Sequence, residues 1–186
     1  MTRPTTSVHT IDITIAAPAW TRSLTTARAV VNRAAVAALA AAGPKRNAEV
    51  SVVLTGDAVV RKLNALYRGK DKPTNVLSFP AEEPTAPSRG VPRTLGDVVL
   101  AYGVAAREAK SERKTLKAHL SHLVVHGVLH LLGYDHEHHA EASAMERLEK
   151  KILSGLRIAD PYSAPPARPP PRASAKRVRP MTKSND

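Results

Sequence analysis

Seven of the eight histidines in this 186-residue chain fall between residues 119 and 139, and their spacing constrains the fold more than any other feature. His119, His122, His126 and His130 recur at intervals of three, four and four. Such intervals place all four on one face of an α-helix. A helix over about 114–132 is therefore predicted, with Leu116, Leu120, Leu123 and Val124 as the opposite, core-facing stripe. His126 and His130, one turn apart, can point at a single ion. Gly133 suits the left-handed position that ends a helix and turns the chain back. His136 follows three residues later and can return to the same point.

The run HGVLHLLGYDH (126–136) carries the H-x-x-x-H-x-x-G-x-x-H spacing of the zinc-binding metzincin motif, with one change. The motif's glutamate, the proteolytic base, follows its first histidine; here that position is Gly127. His126, His130 and His136 are thus predicted to hold one metal ion, with zinc favoured, and to leave a further coordination position open, as hydrolytic sites do. His119 and His122 are read as groups beside the ligands or facing substrate. Asp135 either caps the next helix or orients a ligand imidazole. His138 and His139 read as a solvated extension.

The rest of the chain supplies a frame for that helix. Strands are predicted over Val8–Ile15, Val50–Leu54, Asn75–Phe79 and Leu95–Leu100. Helices are predicted from a Ser23 cap to Ala42, with Ala27, Val30, Val31, Ala34, Ala38 and Leu39 inward, and from an Asp57 cap through Tyr67, with Val59, Val60, Leu63 and Leu66 inward. Others are predicted over 103–111 and from about Glu137 to Leu156, the last with Met145, Leu148, Ile152 and Leu156 inward. Residues 80–93, with several prolines, read as a loop. The expected fold is a single α+β domain: a roughly four-stranded mixed sheet, about five helices, and a zincin-like metal-binding helix.

That domain is expected over 1–159. Residues 160–186 hold seven prolines and six Lys/Arg against two acids, and read as a disordered basic tail. The whole chain has a formal charge of +12, which points to a polyanionic partner. Only six aromatic residues are present, too few for an aromatic base-stacking sheet. The absence of cysteine excludes disulfides, thiolate nucleophiles and cysteine-based zinc sites. The longest apolar run, Ala34 to Ala42, is far too short to span a bilayer, so a cytoplasmic protein without membrane association is expected.

A second segment, NALYRGKDKPTNVLSFP (64–80), packs Arg68, Lys70 and Lys72 into one helix–loop–strand turn. These groups can hold a phosphate, Arg68 as a bidentate fork, or can form a solvated basic loop. Together with LGDVVLA (95–101) and HLSHLVVHGVLHLLGYDHE (119–137), the segment resembles the YbeY family of bacterial rRNA-maturation endoribonucleases. The likeness covers roughly residues 48–155. It implies zinc on His126, His130 and His136, and a functional arginine at Arg68 facing the metal. It also implies cleavage of single-stranded RNA, maturation of the 16S rRNA 3′ end on the small ribosomal subunit, and ribosome quality control. Lys70, Lys72 and His122 become candidate RNA contacts. Asn75 stands where the family usually has aspartate, keeping the local hydrogen bonds but losing a charge. The chemistry is either direct hydrolysis or attack by the RNA 2′-OH. The rival readings are a protease-type zinc hydrolase, which Gly127 opposes, and a non-catalytic RNA-binding assembly factor with a structural metal.

Overall fold

The computed structural model describes residues 9–44, 47–82, 91–134 and 139–163. Asp135, His136 and His138, most of the predicted 80–93 loop, and the tail beyond 163 lie outside the described residues.

Four β-rich segments form one sheet: β1 (Thr10–Ile15), β2 (Ala48–Thr55), β3 (Val76–Pro80) and β4 (Arg93–Ala101). Its order is β1-β2-β4-β3. The first three run parallel, while β3 pairs antiparallel with β4, Val76 opposite Leu100 and Pro80 opposite Gly96. The mixed four-stranded sheet expected from sequence is the one observed. Six helices are present among the described residues: α1 (Ala19–Ser23), α2 (Ala27–Ala42), α3 (Asp57–Arg68), α4 (Tyr102–Ser111), α5 (Leu116–Leu131) and α6 (His139–Gly155).

The additional helix is α1, and it displaces the predicted role of Ser23. That residue ends α1 instead of capping the next helix, and its Oγ lies 2.5 Å from the Tyr102 hydroxyl. Trp20 explains the break. It is wholly buried, and its Nε1 donates to the Thr55 carbonyl at 3.0 Å, pinning α1 to the end of β2. The chain then restarts as α2 at Ala27, with no side-chain cap.

Period-two alternation sorts the strand residues between two faces. Val50, Val52, Leu54, Val98 and Leu100 join α2, α5 and α6 in the main core. Leu77, Val99 and Ala101 meet Val60 of α3 in a smaller cluster on the other face. The inward stripe predicted for α2 is buried throughout, and on α6 Met145 and Ile152 are buried, with Leu148 and Leu156 partly so. Helix α3 departs from its prediction: Val59 is 48% and Leu66 75% exposed. The smaller cluster takes one narrow stripe of α3, and Asn64 fills the next inward position, donating Nδ2 to the Lys72 carbonyl at 2.7 Å. Asp57 is likewise not the cap, since Gly56 takes that place. Its carboxylate instead accepts the Val104 N–H at 3.1 Å and an Arg107 N–H at 3.0 Å, tying α3 to α4.

Helix α5 begins at a Thr115 cap, whose Oγ1 accepts the Ala118 N–H at 3.1 Å. It is buried along most of its length, with the predicted Leu120, Leu123 and Val124 among its core residues. Gly127 marks its closest approach to the sheet. A Cβ there would lie 2.5 Å from Val98 Cγ1 and 3.2 Å from Ser78 Oγ. Ser78 Oγ uses the proximity to donate to the Gly127 carbonyl at 3.1 Å. Gly127→Ala is expected to push α5 off the sheet and lower stability by about 1–3 kcal/mol, read by thermal melting. Adding Val98→Ala should recover part of that loss, since the two sites are in contact.

Candidate functional site

The histidine helix ends as its sequence predicts. Gly133 is left-handed, with φ 87°. The Tyr134 N–H donates to the Leu129 carbonyl at 3.1 Å and the Gly133 N–H to the His130 carbonyl at 3.0 Å, the paired bonds of a Schellman stop. The helix therefore stops just after His130. The four helical histidines share a face as expected, their ring centroids 6.4, 6.2 and 4.5 Å apart in succession.

The residue that organises this face is Glu149 of α6, which the histidine spacing does not announce. Its carboxylate is wholly buried. Oε1 lies 2.8 Å from His126 Nδ1, Oε2 accepts the Tyr162 hydroxyl, and His122 Nε2 stands 3.6 Å from Oε2. Burial pushes the carboxyl pKa up. His122, His126 and Tyr162, all turned toward it, more than reverse that and hold it down at about 2. An ionised carboxylate only accepts, so the bond to Glu149 uses a proton on His126 Nδ1, and Nε2 faces the other side of the ring. That Nε2 lies 3.0 Å from His130 Nε2. One signal for Glu149 was present in the sequence: it lies on the inward stripe of α6, four residues after Met145 and three before Ile152.

Two donor sets thus share His126. His122, His126 and Glu149 bring ligand atoms within 4.8 Å of one another and could hold a cation. His126 and His130 converge through Nε2 on the other side of the ring. The 2.8 Å contact of Nδ1 to Glu149 is a direct hydrogen bond, the usual outer partner of a metal-binding imidazole. It favours the Nε2 side for a metal.

His126 and His130 line an open cleft of about 510 Å³, together with Arg68, Thr74, Asn75, Val76, Ser78, Pro80, Gly133 and Tyr134. Arg68 reaches it from the end of α3, just before the left-handed Gly69. The structure therefore brings Arg68, His126 and His130 to one cavity. Lys70 and Lys72 are exposed in the loop after Arg68 and do not line it. His122 turns toward Glu149 and lines a second cavity of about 320 Å³ beside the α4–α5 turn. His119 is buried, its Nε2 2.9 Å from Glu108 Oε2. The third predicted ligand, His136, and Asp135 lie outside the described residues.

Asn75 sits at the cleft edge as a two-way connector. Its Oδ1 accepts the Val76 N–H at 2.7 Å, and its Nδ2 donates to Glu108 Oε2 at 3.0 Å. An aspartate could serve the first bond but would set a second carboxylate against Glu108. Asn75→Asp is thus expected to cost about 2 kcal/mol in denaturant titrations at neutral pH, the scale of a hydrogen bond to a charged group. Asn75→Asp with Glu108→Gln should be closer to wild type.

The comparisons with known proteins place the chain in a class. Curated relatives are named as endoribonucleases, enzymes that cleave RNA. One from Nitrobacter winogradskyi is 53% identical over 160 residues, covering 84% of this chain and 83% of its own. Another from Chelativorans sp. is 51% identical, with coverages of 83% and 93%. Residues 14–157 match the family described as endoribonuclease YbeY. The chain belongs to the YbeY endoribonuclease family, and is an RNA-cleaving hydrolase. A Thermotoga maritima protein known from a solution structure aligns with a TM-score of 0.47 at 23% identity, covering 82% of this chain and 99% of its own.

Proposed function

We propose that this protein is a metal-dependent endoribonuclease that cuts single-stranded rRNA, acting in maturation of the 16S 3′ end and in ribosome quality control. The observation that carries the reading is the convergence of His126 and His130 Nε2 in a cleft that also holds Arg68. The donor set fits a divalent cation such as zinc: two imidazoles approach through Nε2, one has its far nitrogen tied to a buried carboxylate, and the left-handed Gly133 that ends the helix lines the same cleft. His136 is the proposed third ligand. A cation bound there supplies Lewis-acid polarisation of the scissile phosphodiester.

The chain's own residues supply orientation and charge. Glu149 fixes the His126 tautomer, and Ser78, through the Gly127 carbonyl, fixes the helix that carries it. Arg68 cannot ligate a cation, having no acceptor, but it can make two charge-assisted hydrogen bonds to phosphate oxygens. Lys70, Lys72 and the +12 net charge favour an RNA strand passing over that rim. His122 is proposed to serve the site from beneath, beside Glu149. No described helix is long and apolar enough to cross a membrane, and a cytoplasmic partner, the small ribosomal subunit, fits the basic charge. The protease reading has no place for its base. A side chain at position 127 would enter the sheet at Val98, not the cleft.

Metal analysis of purified protein tests the ligand set. His126→Ala/His130→Ala should lose the bound metal, and full occupancy in that variant would overturn the assignment. Single-turnover cleavage of single-stranded rRNA, on samples of measured metal content, tests Arg68. Arg68→Ala should keep the metal and lose ~3 kcal/mol of transition-state stabilisation, on the order of 100-fold in rate. Arg68→Lys should rescue only partly, because it restores charge without the fork. Wild-type rates in Arg68→Ala would remove the residue from the reaction.

A further inference from the structure

Beyond α6 the chain doubles back across the His122 side of α5. Residues 160–163 are latched there by three contacts. Lys114 Nζ donates to the Pro161 carbonyl at 2.6 Å, Lys150 Nζ lies 3.4 Å from Asp160 Oδ2, and the Tyr162 hydroxyl donates to Glu149 Oε2. The turn is also closed on itself, the Tyr162 N–H reaching Asp160 Oδ1 at 2.9 Å and Ser163 Oγ reaching the Asp160 carbonyl at 2.7 Å. The Tyr162 ring stands edge-on to His122, with centroids 5.7 Å apart, and Lys150 Nζ lies 5.2 Å from its centroid.

We propose that Tyr162 is a positioning residue of the metal site, acting through Glu149 to orient the imidazole of His126. Terminal torsions to sp² carboxyl groups are broad, so a buried carboxylate held at one oxygen alone can swing. Glu149 Oε1 is held by His126. His122, at 3.6 Å, is past hydrogen-bond length from Oε2. The Tyr162 hydroxyl therefore fixes the second oxygen, and with it the plane of the carboxylate that sets which His126 nitrogen carries the proton. On this reading the folded unit runs through residue 163, past the 159 expected from composition. The metal consequence rests on the reading of His126 and His130 given above, whereas the tautomer consequence does not.

The test uses full-length protein labelled with ¹⁵N-histidine and the variants Tyr162→Phe, Glu149→Gln, their double, and Ser163→Ala. Tyr162→Phe keeps the ring against His122 and removes only the hydroxyl. Long-range ¹H–¹⁵N spectra of metal-free protein should show His126 as the Nδ1–H tautomer in wild type and as a mixture in Tyr162→Phe. Zinc affinity, read by competition with a chromophoric chelator, should fall about tenfold in Tyr162→Phe, the lower end of losses from outer-partner removal. The double variant should bind no more weakly than Glu149→Gln alone, because Tyr162 acts through that carboxylate. Wild-type His126 signals in Tyr162→Phe would overturn the proposal, as would losses that multiply in the double variant. An equal shift in Ser163→Ala would assign the effect to the turn and overturn it as well. If wild-type protein takes up no zinc, the metal reading fails and the tautomer spectra still decide the role of Tyr162.

Discussion

The distance between α5 and the sheet is set at one glycine, and both walls of the cleft are referenced to it. Gly127 presses its bare Cα toward Val98 of β4 and receives the Ser78 hydroxyl of β3 on its carbonyl. His126 lies beside it in sequence, and His130 one turn on. The opposite wall is built from β3, which among the described residues pairs only with β4, and from Arg68 at the end of α3. A helix lifted by one methyl group would carry the imidazoles away from that wall while every hydrogen bond inside α5 stayed intact. Close packing of interiors turns this local contact into control of the site's width.

Around this contact buried and half-buried polar groups are arranged as short relays. Glu149 takes hydrogen bonds from α5 and from the segment after α6; Glu108 takes them from Asn75 and His119. Each carboxylate ties separate elements together, Glu149 joining α6 to α5 and to the segment after it, Glu108 joining α4 to α5 and to the start of β3. A buried carboxylate is costly unless its lone pairs are filled, so the Glu149 relay specifies one relative placement of α5 and α6; Glu108, a third exposed, adds a weaker constraint between α4, α5 and the start of β3. Asn75 shows how closely residue type is bound to its neighbour, since its amide accepts from the chain and donates to Glu108, whereas an ionised carboxylate could only accept.

Much of this was legible in the sequence, for reasons that differ by element. The buried stripe of α2, the apolar runs of β2 and β4, and the histidine face of α5 are sequence signals that tertiary contacts reinforced. Gly133 announced a helix stop because few other residues take its backbone angle. The apolar content of α3 was clear, but periodicity alone could not tell that Asn64 would turn inward and Leu66 outward. Trp20 broke the first helix through a bond to a strand far along the chain. Glu149 was hidden most deeply, because an acid on an amphipathic helix is ordinarily solvated and only its neighbours in space reveal otherwise. That Arg68 shares a cleft with His126 followed from family resemblance and not from spacing, as the two lie on different helices more than fifty residues apart in the chain.

The order of the chain gives the buried carboxylate a consequence in time. Synthesis proceeds from the N-terminus, so the histidines of α5 leave the ribosome before Glu149 does. Until α6 has emerged and docked, His126 lacks the acceptor that selects its tautomer, and a nascent chain carries the imidazoles without the group that aims them. The histidine face of α5 is therefore completed by a later part of the chain, once α6 has docked against it.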